Sequence, residues 1–227
     1  MIDPTKWTID GGSWSESGGV LHKTNTDSEG WLRTNNDYDN GILESKTYLP
    51  SDAGDDDMRL LARYQSTSQH YNLHAGWSGY IRLAKDGTSV VLDEHPHTPS
   101  YSVWYKMKFL FDGSTLKGKI WQWGTPEPDW QVTATDSTYS SGKIALATWN
   151  NKVDFDDVFV RKYSSSPPSI SYSSEESGSW TIDGHTFTKR KKVTITSSQA
   201  LSGYQVQLDY SQWNENNIRV LRKVWIE

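Results

Sequence analysis

Two kinds of side chain in this sequence could do chemistry together: aromatic rings and guanidinium groups. The CH face of a sugar ring stacks on an aromatic plane while its hydroxyls stay hydrogen-bonded at the edge. The chain holds 12 Trp, 12 Tyr and 5 Phe among 227 residues. Trp31, Trp77, Trp123, Trp130 and Trp149 fall at strand ends or in loops by their place in the hydrophobic alternation, and each can serve either as a platform or as packing. Trp123 and Trp130 bracket a loop stiffened by Pro126 and Pro128. Arg59, Leu61 and Arg63 share the parity of a single extended run. A guanidinium fork can hold two sugar hydroxyls at once, or it can form a structural ion pair across a sheet. Both roles are open to Arg63.

The remaining reactive groups are dispersed. Retaining glycoside hydrolysis needs two carboxylates about 5–5.5 Å apart. The acidic clusters Asp52–Asp57 and Asp93–Glu94 are expected in loops bounded by Gly and Pro, not alternating along one strand. His95-Pro96-His97 beside Asp93 and Glu94 has two imidazoles but no ordered third ligand, which fits a solvated loop better than a transition-metal site. With no Cys there are no disulfides, thiolate metal sites or Cys nucleophiles. A net charge of −5 without a dominant basic block argues against nucleic acid as partner. No apolar run approaches the roughly 18 residues of a spanning helix, and the opening Met-Ile-Asp-Pro has no apolar signal-peptide core.

The elements that must position these groups read as strands. The clearest runs are 41–49, 58–65, 71–76, 80–85, 103–111, 116–123, 143–148 and 153–162. Asp39–Gly41, Lys85–Gly87 and Asp112–Ser114 read as hairpin turns, where Gly or Asn supplies positive φ. Alternation puts Tyr105, Met107, Phe109 and Phe111 on one face. Lys106, Lys108, Lys117 and Lys119 then belong to a solvated outer face. Short strands at this spacing predict an all-β sandwich or jelly roll over residues 1–163. Ser164–Gly178 reads as a Ser/Pro/Glu linker, and 179–227 as a partial β module with runs at 187–196 and 203–210. The run Trp7-Thr8-Ile9-Asp10-Gly11 recurs at Trp180–Gly184, which hints at tandem units.

Placed in order, these motifs resemble the concanavalin A-like (laminin-G-like) jelly-roll superfamily, a sandwich of two antiparallel sheets, here followed by a short C-terminal β segment. The residues that carry the resemblance are Trp14 with Gly19-Val20-Leu21, Ala62-Arg63-Tyr64-Gln65, and His70-Tyr71-Asn72-Leu73. Trp104–Phe109 before Asp112-Gly113, Gly142–Leu146 and Phe155–Val160 complete the set. Val160-Arg161-Lys162-Tyr163, the Ser/Pro segment and Phe187–Ile195 are similar to modular archaeal surface proteins, in which such a domain alternates with a module of unknown function.

The resemblance implies a non-catalytic carbohydrate (polysaccharide)-binding module of an extracellular or cell-surface protein. The alternatives it leaves are a structural or adhesive spacer of a surface or virion protein, and a glycoside hydrolase or polysaccharide lyase. The Glu-x-Asp-x-x-Glu strand of jelly-roll glucanases is absent. Arg59, Arg63, Gln65, His74, Tyr71 and Tyr80 are of the types that jelly-roll lyases use, but not in their spacing. No catalytic residue is therefore assigned. The expected ligand-binding set is Arg63, Arg59, His74, Tyr71, Trp77, Trp123, Trp130 and Trp149, with Arg63 at a position where sugar-binding relatives often have arginine. The resemblance also implies a structural Ca²⁺ held by Asp156 or Asp157 with Asp10 contributing; an outward Asp on an edge strand would need no metal. The expected partner is a glycan, and an exposed C-terminal strand edge could pair two copies into a homodimer.

Overall fold

The computed structural model describes residues 2–76, 79–87, 89–163, 169–174, 176–182, 185–190, 193–196, 204–206 and 224–226. The chain divides into two compact units, Met1–Tyr163 and Ser164–Glu227.

Two seven-stranded antiparallel sheets build the first unit. In spatial order the first sheet runs β1 (Trp7–Gly11), β4 (Gly30–Tyr38), β13 (Gly142–Thr148), β6 (Met58–Ser66), β7 (Gln69–Gly76), β8 (Tyr80–Lys85) and β9 (Val90–Pro96). The second runs β12 (Val132–Thr135), β11 (Thr115–Gln122), β10 (Trp104–Asp112), β5 (Gly41–Tyr48), β14 (Val153–Arg161), β3 (Val20–Lys23) and β2 (Trp14–Ser17). This is a jelly-roll sandwich, and each of the eight strands expected up to residue 163 is present.

Period-two alternation drives the layering, because successive side chains point to opposite faces of a strand. Leu32, Leu60, Leu73 and Leu146 of the first sheet meet Leu43, Met107, Phe109, Phe111 and Phe155 of the second in one buried core. A smaller cluster of Trp31, Leu61, Tyr64, Ala145 and Ala147 lies on the other face of the first sheet. Aliphatic residues dominate this core, with Tyr71, Tyr105, Phe109, Phe111, Tyr139 and Phe155 as its aromatics and no Trp among its fully buried members, so the expectation of a core of few but large side chains is not met.

Two of the three expected hairpins form. Asp86 (φ 57°) and Gly87 (φ 74°) turn β8 into β9, and Gly113 (φ 54°) turns β10 into β11. Asp39–Gly41 is not a hairpin: β4 and β5 belong to different sheets, so this segment crosses the sandwich. The crossing is pinned from outside itself. Arg63 Nε donates to the Asp39 carbonyl at 2.8 Å, and the Gly113 amide donates to Asn40 Oδ1 at 2.7 Å.

Among the described residues the second unit contains three two-stranded pairings. They are β15 (Ser169–Tyr172) with β18 (Val193–Thr196), β16 (Glu176–Ile182) with β17 (His185–Arg190), and β19 (Tyr204–Val206) with β20 (Val224–Ile226). The 164–178 segment read as linker thus carries β15 and the start of β16. Ser and Thr pair readily in a ladder even where apolar residues are few. Among the described residues no helix is long and apolar enough to cross a membrane.

Candidate functional site

Alternation that sends Met58, Leu60 and Ala62 into the core sends Arg59 and Leu61 to the outer face of the first sheet. Likewise Tyr71, Leu73 and Ala75 face the core, leaving His70, Asn72 and His74 on the outer face. Register then aligns these groups across the strands. One transverse row runs Trp31, Ala147, Arg59, His74, Arg82 and Glu94. The neighbouring row runs Arg33, Ala145, Leu61, Asn72, Ala84 and Val91. Small residues on β13 lie beside the polar groups of β6 and β7. His70, Asn72 and His74 are fully buried although they belong to an outer face, because longer side chains wall them in.

Charge on this face is paired. Arg33 Nε lies 2.7 Å from Asp10 Oδ2, Arg59 Nε lies 2.6 Å from Asp57 Oδ2, and Arg82 Nε lies 2.8 Å from Glu94 Oε2. Burial pushes the His74 imidazole down to about 3, reinforced by the Arg59 and Arg82 charges, and pushes His70 down to about 4. Both histidines are therefore neutral at ordinary pH. His70 Nε2, Asn72 Oδ1 and Asp57 Oδ1 are buried without a hydrogen-bond partner. Unspent polar atoms on an otherwise paired face are hydrogen-bonding capacity that a polar ligand could reach by displacing a neighbour.

At one end of this row, Asp57 organises the exposed aromatic. Its carboxylate accepts the Trp149 amide at 2.7 Å, and its carbonyl accepts Thr148 Oγ1 at 2.7 Å and Asn151 Nδ2 at 3.0 Å. Trp149 itself stays 48% exposed, with the Arg59 guanidinium 5.9 Å from its ring. The Asp57 loop is seated against the end of β7 by Gly76 (φ 115°), where any Cβ would collide with the Asp56 carbonyl.

Of the expected ligand-binding residues, Arg59, His74 and Trp149 come together here. Arg63 does not. It adopts φ 52° in a bulge between Ala62 and Ser66, which inverts parity and gives its outward place to Tyr64. Its side chain is 1% exposed and anchors loops: Nε to the Asp39 carbonyl, Nη1 to the Tyr139 carbonyl at 2.7 Å, Nη2 to Asn40 Oδ1 at 3.2 Å. Nor does its partner in the sheet-spanning alternative exist as expected, since these contacts are to carbonyls and an amide. Tyr71 also turns inward, donating to Asp136 Oδ1 at 2.6 Å and accepting the Tyr139 amide at 3.1 Å. Trp77 lies outside the described residues.

Trp123 and Trp130 belong to the other sheet. Their loop folds onto the outer face of β10 and β11, where Glu127 takes Lys108 at 2.6 Å and Lys119 at 2.8 Å. Glu44 takes Lys108 at 3.2 Å and Arg161 at 2.9 Å. Lys108 and Lys119 are consequently buried, which corrects the expectation of a solvated lysine face. Trp123 is 49% exposed with Lys46 Nζ 4.2 Å and Lys106 Nζ 5.0 Å from its ring, and Trp130 is partly buried with Lys119 Nζ 4.5 Å away.

The carboxylates expected to hold calcium are split. Asp10 lies on β1 of the first sheet and pairs with Arg33, whereas Asp156 and Asp157 lie on β14 of the second. Asp157 Oδ2 lies 2.8 Å from Lys46 Nζ, and Asp156 Oδ1 accepts the Asp157 amide at 2.7 Å. A cavity of about 300 Å³ beside them is also lined by Asp3, Glu16 and Lys6. Asp3 Oδ1 is already taken by Thr5 and Glu16 Oε1 by the Gly19 amide. Among the described residues no three His or carboxylate groups converge on one point.

Sequence reasoning missed Asp57, Arg82, Glu94, His70 and Asn72 as members of this face. Asp93 and Glu94 lie in β9, not in a loop, and the clue was the Val90–Leu92 run that precedes them. Asp57 immediately precedes β6, two residues before Arg59, and that spacing was the available signal.

No protein-family model matches the chain, and no curated protein does. Solved structures do. A carbohydrate-binding module, CBM66 from Bacillus subtilis, matches with a TM-score of 0.60 at 18% identity, over 69% of this chain and 95% of that one. A Bacillus licheniformis β-glucanase matches with a TM-score of 0.51 at 12% identity, over 72% and 95%. A prokaryotic β-1,3-1,4-glucanase (lichenase) derived from a mouse hindgut metagenome matches with a TM-score of 0.50 at 10% identity, over 69% and 92%. At these identities the likeness is one of fold: the chain and these structures share a jelly-roll sandwich of two antiparallel sheets.

Proposed function

We propose that the first unit is a non-catalytic module that binds a neutral glycan along the outer face of the first sheet, outside the cell or at its surface. The observation that carries this reading is the row Trp31–Ala147–Arg59–His74–Arg82–Glu94 with the exposed Trp149 at its end. Trp149 offers a plane for a sugar ring, and the partly exposed Arg33–Asp10 and Arg82–Glu94 pairs offer donors and acceptors for its hydroxyls. Arg33, Arg59 and Arg82 on this face each already have a carboxylate, and the two buried histidines are neutral. Such a balanced surface gives an acidic polymer no net attraction, which favours a neutral ligand.

Hydrolysis is disfavoured by the same pairing. Asp10, Asp57 and Glu94 each lie against an arginine, and Asp57 is wholly buried, so its carboxyl cannot reach a glycosidic oxygen. Calorimetry against a panel of neutral and acidic polysaccharides tests the reading. Binding to a neutral glycan without product release is expected. Preference for an acidic one, or release of reducing sugar, would overturn it, and binding to none would leave a spacer or adhesive domain.

A further inference from the structure

Asp57 is the one fully buried carboxylate on the candidate face among the described residues, and it does three things at once. Oδ2 contacts Arg59 Nε at 2.6 Å and accepts the Trp149 amide at 2.7 Å, while its carbonyl takes Thr148 and Asn151. Thr148 Oγ1 also bonds Asn151 Oδ1, so the whole 148–151 turn hangs on this residue. The Arg59 Nε lies against the same carboxylate oxygen, and this charge pairing holds the guanidinium. The two groups most able to meet a sugar, Arg59 and Trp149, are thus positioned by one oxygen atom.

We propose that Asp57 is the positioning residue of the glycan-binding face, holding Arg59 and Trp149 in a single arrangement when ionised and releasing both when protonated, so that binding weakens on acidification. This rests on the glycan-binding reading for its consequence, but not for its mechanism. Neutralising the carboxylate removes the charge paired with a nearly buried guanidinium, and it weakens the acceptor that fixes the Trp149 backbone.

The environment puts this switch in a useful range. Burial pushes the Asp57 carboxyl up to about 6, against the opposing pull of Arg59 and the Trp149 amide. The charged or titratable groups around it are Arg59 on β6, His74 on β7, Arg82 on β8 in register with His74, and Asp55 and Asp56 on its own loop. Both buried histidines of this face are pushed well below that range, so they do not titrate where Asp57 does. Asp56 is raised as well, by its own burial and by Asp55, so a pH step alone would not distinguish the two carboxyls. The variant does.

Two measurements on the full chain test the proposal. In the first, amide and side-chain nitrogen shifts of Trp149 and Arg59 Nε are followed without ligand from about pH 7.5 to about pH 5. A shared midpoint near 6 that disappears in Asp57→Asn is expected; resonances that stay flat, or that titrate unchanged in the variant, overturn the proposal. In the second, affinity for the neutral glycan that the wild type binds best is compared at the two pH values. A drop of about tenfold or more in the wild type is expected, with Asp57→Asn weak at both and Asp57→Glu partly restored. Wild-type affinity in Asp57→Asn would overturn the positioning role. Titrating resonances in a protein that binds no glycan would uphold the Asp57 switch and sink the functional reading instead.

Discussion

Arg59 and Arg63 sit four residues apart on β6, share parity in the sequence, and end in opposite roles. The bulge at Arg63 turns its guanidinium among Tyr71, Phe111 and three loop acceptors, while Arg59 stays on the outer face beside Trp149. Substitution separates them. Arg63→Ala strips the Asp39 and Tyr139 carbonyls of their buried donor, and a loss of about 3–5 kcal/mol in urea unfolding is expected. Trp149→Ala removes a half-exposed ring that contributes little to the core. Glycan affinity should fall about tenfold by calorimetry with the melting temperature unchanged. Residue types alone marked both arginines as candidates; the choice between them needed the backbone dihedral at Arg63.

At the scale of elements, the candidate face depends on the alignment of β13, β6, β7 and β8. The alignment is held where β6 bulges, and β13 begins there with Gly142 (φ 149°) against the Arg63 backbone. A Cβ at Gly142 would lie 2.6 Å from the Arg63 carbonyl carbon, closer than real side chains pack. Gly142→Ala should therefore destabilise the unit by about 2 kcal/mol or more and reduce glycan binding through altered register, measured by thermal unfolding and calorimetry together. Strand positions were legible in the sequence because alternation and turn residues are local. The bulge was not, since it exists to let Arg63 bond loops that arrive 24 and 76 residues away. The lysine face was misjudged for a related reason. Lys108 and Lys119 look solvated on β10 and β11 until a loop returns to lay Glu127 over them.

For the molecule as a whole, buried histidines set the response to pH. In the folded state His70 and His74 are held neutral, with values of about 4 and about 3 against an ordinary 6.5. The unfolded chain then binds more protons than the folded one below pH 6.5, so the stability these residues contribute is present above that pH and lost as pH falls beneath it. Asp57 acts the other way. Its raised value makes the folded state bind the proton more tightly between 3.8 and about 6, which favours folding as pH falls. One carboxyl shifted upward offsets only part of two imidazoles shifted further downward. A net loss of a few kcal/mol between about pH 7 and about pH 4.5 is expected in urea titrations. Residues 1–163, expressed alone, should unfold cooperatively and bind the same glycan, because the compact unit contains every strand of both large sheets. Added calcium should leave its melting temperature unchanged, since Lys46 and Arg33 occupy the carboxylates that would bind it.

By itself the sequence determined the layered all-β architecture. Strand alternation, Asp-Gly turns and a surplus of large aromatics are short-range features, and they pointed to an all-β sandwich or jelly roll in residues 1–163; the resemblance of the ordered motifs supplied the jelly roll. It also excluded chemistry that needs thiols, and it marked Arg59, His74 and Trp149 as side chains suited to a sugar. Only the tertiary structure decided which of the marked residues meet. Register across three strands places Arg59, His74 and Arg82 in one row, and a buried carboxylate two residues ahead of Arg59 ties that row to a tryptophan 92 residues later. Such contacts depend on strand order, on one left-handed residue and on desolvation at Asp57. None of these is a local property of the chain.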